Sequence, residues 1–381
     1  MTDCMTHMKC WMTGLLLCLS CQMMGQDGVR GFVRKLGALI DTMSVSGLDR
    51  RYIDAPAEPW QIIARGNVNQ GVMSMTTESE LAGVTYRAKP YLKTKPAKSL
   101  GLWAGYRGYG VGYMVNVGGD RGQYLTFGAM GGAYGVNVRI HSFDSNTPNF
   151  SMHDESQSAA EAEQWERVEL RSPIKVRTVI ADAYYLLNGK RFSYAAAYDQ
   201  SVIQKRSAGS LMVGGMYNYA RIDYASPLNG DLIYLMEGLG RVQLWQGSVG
   251  VGYAYNWVPC RGLLVNVMFM PMLTFVNRIR AFGYSTNVEE LMMDPIMWDE
   301  SKTVQEQEEW FYSHLQIESM GRKSFNSGLT VNFDARVSLT YNFGRFFVNA
   351  YGQFNNSRYW HDNSHGHLNE WFVNTSFGVR L

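Results

Sequence analysis

Apolar and polar positions alternate with period two along much of this chain, the mark of strands with one greasy and one polar face. Within the last eleven residues, Trp371, Val373, Thr375, Phe377, Val379 and Leu381 oppose Phe372, Asn374, Ser376, Gly378 and Arg380. Trp60, Ile62, Ala64, Gly66 and Val68 likewise oppose Gln61, Ile63, Arg65, Asn67 and Asn69, and Val249, Val251, Tyr253, Tyr255 and Trp257 oppose Gly250, Gly252, Ala254 and Asn256. From Leu329 to Phe343 one face carries Val331, Val337 and Leu339, the other Asn332, Asp334, Arg336 and Ser338. Arg107-Gly108, Arg261-Gly262 and Gly344-Arg345 punctuate these runs as turns. Strands of soluble sandwiches average about five or six residues, so such long two-faced strands predict an all-β, transmembrane antiparallel β-barrel in which the final strand pairs with the first.

Two stretches lose the alternation and predict long acidic extracellular loops. Asp144–Pro173 carries Glu155, Glu161, Glu163, Glu166 and Glu169, with a helix expected over Glu155–Val168. Arg278–Lys323 carries Glu289, Glu290, Asp294, Glu306, Glu308 and Glu309 beside Trp298, Trp310, Phe311 and Tyr312, aromatics expected to pack the loop on itself.

The N-terminus sets the address. Lys9, the apolar run Leu15 to Leu19 and a cleavage point at Gly25-Gln26 read as a secretory signal. The expected division is therefore a signal peptide over 1–25, a periplasmic lead-in over 26–58 with a short amphipathic helix within Gly28–Met43, and the barrel over 59–381. Cys18 and Cys21 fall within the signal, where a redox reading is poor and a lipidated Cys21 is the better alternative; Cys260 alone remains in the mature chain. No later apolar run reaches the roughly 18 residues of a membrane helix. With 35 Lys and Arg against 33 Asp and Glu, the chain offers no argument for nucleic acid. The excess of glycine and tyrosine, 39 and 23, suits a barrel wall. The expected location is the outer membrane of a Gram-negative bacterium. The expected partners are its lipid, the barrel-assembly machinery acting on the C-terminal strand, and an unspecified small solute or surface ligand.

Counting decides one further segment. With Phe192–Ser201 included as a strand the total comes to roughly thirteen, although both ends of such a barrel lie in the periplasm and demand an even number. Removing that segment leaves about twelve strands and places the long loops together. Ser193 can cap a helix through Ala195, Ala196 and Ala197. Asn188–Ser207 is thus expected to be a periplasmic-side turn or plug, with Phe192, Tyr194, Tyr198, Gln204 and Arg206 as its candidate contacts.

Candidate chemistry is sparse. Arg139, His141, Asn332, Asp334 and Arg336 should point into the lumen, where they either fill it by pairing charges or line a polar path for water or solute. His141 and Ser142 are adjacent, so a strand sends them to opposite faces and they cannot form a nucleophile–base pair; no G-x-S-x-G occurs. His361, His365 and His367 are weak metal candidates without defined spacing. The glycines of Gly108–Gly112 imitate a phosphate loop but lie inside a strand. No catalytic residue and no cofactor emerges.

The run from Tyr184 to Ser210, YYLLNGKRFSYAAAYDQSVIQKRSAGS, exceeds what barrel periodicity requires. It resembles the signature of the domain-of-unknown-function family numbered 4421, a set of predicted Gram-negative outer-membrane barrels. Asp49–Asp54, Leu100–Tyr106 and Gly250–Asn256 are similar to the family too, whereas Asn287–Glu318 finds no counterpart. The resemblance implies fold and location and brings no activity. Three functions stay open: a channel or transport-type barrel for small solutes, a structural or partner-binding barrel acting through its acidic loops, and a lipid-modifying enzyme.

Overall fold

The computed structural model describes residues 47–81, 84–93, 96–118, 122–145, 149–154, 166–167, 170–236, 238–361 and 364–381, with Ile40 and Ser44 from the preceding stretch. The expected signal peptide and most of the expected Gly28–Met43 helix lie outside these residues; Ile40 is helical and accepts a 2.7 Å hydrogen bond from the Ser44 hydroxyl. Leu48–Leu381 is one compact unit.

Twelve strands form the wall. They are β1 (Trp60–Leu81), β2 (Ala97–Tyr106), β3 (Tyr109–Gly118), β4 (Gly122–Met130), β5 (Tyr134–Ser145), β6 (Ile174–Leu186), β7 (Ala208–Asp223), β8 (Leu239–Cys260), β9 (Leu263–Thr286), β10 (Thr330–Phe343), β11 (Phe346–His361) and β12 (Ser364–Arg380). Each pairs antiparallel with its neighbours in sequence, and β12 returns to β1 from Ser364↔Thr77 to Arg380↔Gln61, so the ring is closed. Closure removes the free edges that a hydrocarbon solvent could not satisfy. Trp60 and Leu381 exchange both backbone hydrogen bonds at one rim.

Polarity is inverted relative to a soluble protein. Outward positions are apolar and exposed, among them Leu102, Val251, Phe269, Val337 and Phe377. Inward positions are polar and buried: Ser99, Asp182, Asn256, Asn266, Asp334, Ser338, Asn374 and Arg380. This is the arrangement of a barrel immersed in lipid, and a closed antiparallel barrel of this kind is the architecture of bacterial outer membranes. The chain is an outer-membrane β-barrel.

The two ends differ. At the end carrying Trp60 and Leu381, the turn end, strands meet through Arg107-Gly108, residues 131–133, Arg261-Gly262 and Gly344-Arg345. Arg107 and Gly108 both have positive φ, 52° and 91°, which suits a two-residue hairpin turn. The opposite, loop end carries the long connections. Three of these are more regular than their sequence suggests. Strand Ile317–Asn326 pairs with the far half of β9, and strands Val84–Lys93 and Asn149–Asp154 extend the far half of β1. In the strand Ile317–Asn326 almost every side chain is exposed, so neither face is selected to be apolar and no alternation marks it. The helix expected over Glu155–Val168 lies outside the described residues except at Glu166–Arg167, which form a short strand. Between Asn287 and Gln316 the loop folds into helices Val288–Met293 and Val304–His314, whose Val288, Leu291, Phe311 and Leu315 pack together with Trp310 and Tyr312 alongside. Trp298 stays exposed.

Candidate functional site

The long connection between β6 and β7 is the exception at the turn end, and it enters the barrel. Its helix Tyr194–Tyr198, here α1, is short, starts at Ser193, whose hydroxyl accepts from the Ala196 N–H, and buries all of its residues. Barrel amides hold it. The Tyr198 hydroxyl donates to Asn266 Oδ1 at 2.6 Å, Asn256 Nδ2 donates to the Ser193 carbonyl at 2.8 Å, and Asn349 Nδ2 donates to the Ala197 carbonyl at 3.1 Å. The Arg380 guanidinium donates twice to the Gln200 carbonyl, at 3.0 and 2.8 Å. Gln200 has a φ of 62°, a left-handed conformation that a non-glycine residue keeps only under such constraint.

The lead-in locks the segment from below. Ile53–Asp54 pairs with Ile203–Gln204, and the Asp49 N–H donates to the Lys190 carbonyl. Gln204 is the hub: its Nε2 donates to the carbonyls of Arg191 and Arg206, and its Oε1 accepts from the Ser193 N–H and Asn256 Nδ2. Hydrogen bonds from Arg51 hold the Asp49 carboxyl down at about 2, so that pairing persists until the pH falls through that value. Asp49–Asp54 and Asn188–Ser207 thus meet in one plug. Phe192, Tyr194, Tyr198 and Gln204 are buried in it. Arg206 is not a lumen contact; it is exposed, 6.0 Å over the Tyr52 ring.

Above α1 lies a buried ionic network. Arg336 donates to both carboxylate oxygens of Asp334, with a shortest contact of 2.6 Å, lies 3.2 Å from Asp182, and donates to the hydroxyls of Tyr184 and Tyr194. Arg139 donates to Asp182 at 2.9 Å and to Gln353 at 2.7 Å, and Gln353 passes a hydrogen bond to Asp334 at 3.0 Å. Two guanidinium groups face two carboxylates, so the cluster is neutral, the condition for charges this deeply buried. Asn332 stands apart, donating to Thr274 and accepting from the Arg358 N–H.

Arg139 divides the lumen. On the plug side it lines a cavity of about 50 Å³ with Arg65, Tyr194, Tyr198 and Asp199. On the loop side it lines a chamber of about 70 Å³ whose walls are mostly apolar: Phe143, Ile174, Val176, Ile222, Leu368 and Phe372. Leu232 and Ile233 of the loop-end helix Gly230–Leu235 join the same apolar cluster. His141 is buried against this chamber. Asn69 Nδ2 lies 3.3 Å from its Nδ1, and Nε2 has no hydrogen-bond partner among the described residues. Ser145, on the same face of β5, is four residues away, about 13 Å along a strand, with Phe143 between them. The chamber therefore brings together no serine–histidine pair. Of the metal candidates, the side chains of His361 and His365 lie outside the described residues; among those described, no group of three ligating residues forms.

Sequence reasoning passed over Asp182, Gln353, Asn349 and Arg380. Period two applied to β6 would have turned Asp182 inward with Thr178 and Tyr184. Its meeting with Arg139 and Arg336 depends on register and on curvature across the lumen, which alternation does not encode.

A family model described as "Domain of unknown function (DUF4421)" matches residues 48–380. No curated protein matches the sequence. Among solved structures the fold is similar to the outer membrane protease OmpT of Escherichia coli, at 9% identity and a TM-score of 0.41 over 85% of this chain and 97% of that one. It is also similar to the outer membrane protein OprG of Pseudomonas aeruginosa, with 11% identity, 84% and 96% coverage and a TM-score of 0.27. An outer membrane channel of Pseudomonas putida F1 gives 9%, 86% and 97%, and 0.29. These are likenesses of fold alone.

Proposed function

This chain belongs to the family described as domain of unknown function 4421, a description that names no activity, and from the geometry of its lumen we propose a plugged transport-type barrel for small, neutral, largely apolar solutes. The observation that carries the reading is the sequence of spaces along the axis. The apolar chamber near the loops and the cavity beside α1 share Arg139 as their common wall, and the plug closes the far side. A solute entering from the loops meets mostly apolar walls in which His141 Nε2, Ser145 Oγ and Arg139 Nε lack a hydrogen-bond partner among the described residues, and must displace Arg139 and then α1 to cross. Arg139 is already matched by Asp182, and the other charged residue lining the chamber is Glu370, which disfavours an anion. A neutral ring bearing an acceptor fits both the apolar walls and these unpartnered groups.

Reconstitution of the mature chain in planar bilayers tests this. The wild type should show almost no steady conductance, and replacement of residues 190–206 by a short glycine–serine turn should open a stable pore. In vesicles, uptake of cyclohexanone should saturate in the wild type and lose saturation in Val176→Trp, which fills the chamber. A wide-open wild-type pore, or uptake indifferent to Val176→Trp, would overturn the reading.

A further inference from the structure

Outside the lumen, one surface departs from the apolar belt. On the outward face of β6 to β9, near the loop end, ladder partners run side by side: Arg177 opposite Arg221, Arg221 opposite Gln243, and Gln243 opposite Arg280. The row nearer the loops reads Lys175, Asp223, Arg241, Phe282 and Arg322, and the row on the other side Val179, Tyr219, Trp245 and Arg278. Alternation puts all of these on the lipid-facing side, because Val176, Ile222, Val242 and Ile279 between them are buried inward. Seven cations thus share a patch with Asp223 and, across from Lys175, Asp144. Asp223 is engaged by Arg221 and Arg241, each at 2.8 Å. Arg280 lies 4.7 Å over the Trp245 ring, and Arg278 donates to Ser324.

Two arginines directly opposite each other on one face destabilise a ladder, as does any like-charged pair there. The patch stands immediately beyond Tyr217, Tyr219 and Trp245, and such rings mark the level where hydrocarbon gives way to headgroups. Cations at that height, facing outward, stand against headgroups as well as against their protein partners. Arginine forks match phosphate oxygens in pairs, so one phosphate placed between Arg177 and Arg221 would turn repulsion into two charge-assisted contacts. We propose that this wall is a binding site for a phosphorylated lipid of the leaflet at the loop end, with Arg177, Arg221, Arg278 and Arg280 gripping its headgroup phosphates and Tyr219 and Trp245 packing along its first acyl segments. The site is independent of what the lumen carries.

Native mass spectrometry of the full mature chain, released from phosphatidylcholine nanodiscs doped with bis-phosphorylated lipid A, reads the site directly. The wild type should retain lipid A in preference to phosphatidylcholine. Arg177→Gln with Arg280→Gln should lower that retention about thirty-fold, at the usual contribution of each basic side chain near a charged surface. Arg50→Gln with Arg261→Gln removes the same charge from exposed positions at the turn end and should leave retention unchanged. Millimolar pyrophosphate should not displace the lipid, since the acyl contacts add to the phosphate ones. Should the patch variant fail to fold, the wild type in about 1 M salt, where screening shortens to about 3 Å, should release the lipid instead. No preference for lipid A, equal losses in both double variants, displacement by pyrophosphate, or salt-indifferent retention would each overturn the proposal.

Discussion

Trp103 lies inside the barrel wall because three glycines make room for it. A Cβ at Gly105 or Gly110 would run into the indole, and at Gly112 it would stand 2.7 Å from Cδ1. The glycine repeat that imitates a phosphate loop is therefore a seat for one large inward ring, stacked in turn under Arg65 at 4.8 Å. Arg336 makes the complementary point about charge. Its guanidinium is the shared partner of Asp182, Asp334 and two tyrosines, so Arg336→Met leaves the cluster one negative charge in excess. Breaking a buried pair in this way costs about 3–5 kcal/mol. Urea titration of the folded, fast-migrating band should show that loss, and adding Asp334→Asn should recover at least half of it. A double variant no more stable than the single one would mean that packing, not charge, sets the stability. The inward direction of Arg139, His141, Asp334 and Arg336 was legible from alternation alone, because period two leaves a strand residue only two faces. Their partners were not, since Asp182 and Gln353 reach them across the lumen from strands far apart in sequence.

At the level of elements, the plug was legible through a failure of pattern. Phe192–Ser201 has strand-like aromatics but no continuing alternation, and a thirteenth strand would have placed the two chain ends on opposite sides. What the sequence could not reveal was how deeply α1 sits, because that is decided by Asn256, Asn266 and Asn349, amides that look like ordinary lumen filling. A helix this short has no stability of its own, so cap and clamps hold it. Ser193→Ala removes the side-chain cap while leaving the backbone bonds to Gln204 and Asn256 in place. At about 1 kcal/mol for an N-cap, amide exchange within Ala195–Ala197 should speed up about five-fold, with the β8 and β9 amides unchanged. Equal acceleration throughout the barrel would show that the plug and wall open as one unit. The loop elements were hidden for the opposite reason. Strand Ile317–Asn326 is exposed on both faces, and an element that buries nothing leaves no periodic mark.

The molecule as a whole has an orientation written into its asymmetry. Four short turns, the plug, the lead-in and both barrel ends share one rim, and the two longest connections, among them the folded helical loop between β9 and β10, stand at the other with the short links 119–121 and 362–363. In outer-membrane barrels short turns face the periplasm and long loops the exterior. The basic wall near the loop end would then stand in the outer leaflet, and the plug would close the periplasmic mouth. Cys260, exposed at the Arg261-Gly262 turn, is a natural reporter of that side. A membrane-impermeant maleimide should leave it unmodified on intact cells and label it once the outer membrane is permeabilised. In a Cys260→Ser background, Met293→Cys, placed at one of the most exposed side chains of the loop, should react on intact cells. The two positions sit on opposite rims, so their reactivities must be reciprocal. Labelling of Cys260 from outside, with Met293→Cys protected, would invert the barrel and move both the phosphate-binding wall and the solute chamber to the periplasmic side.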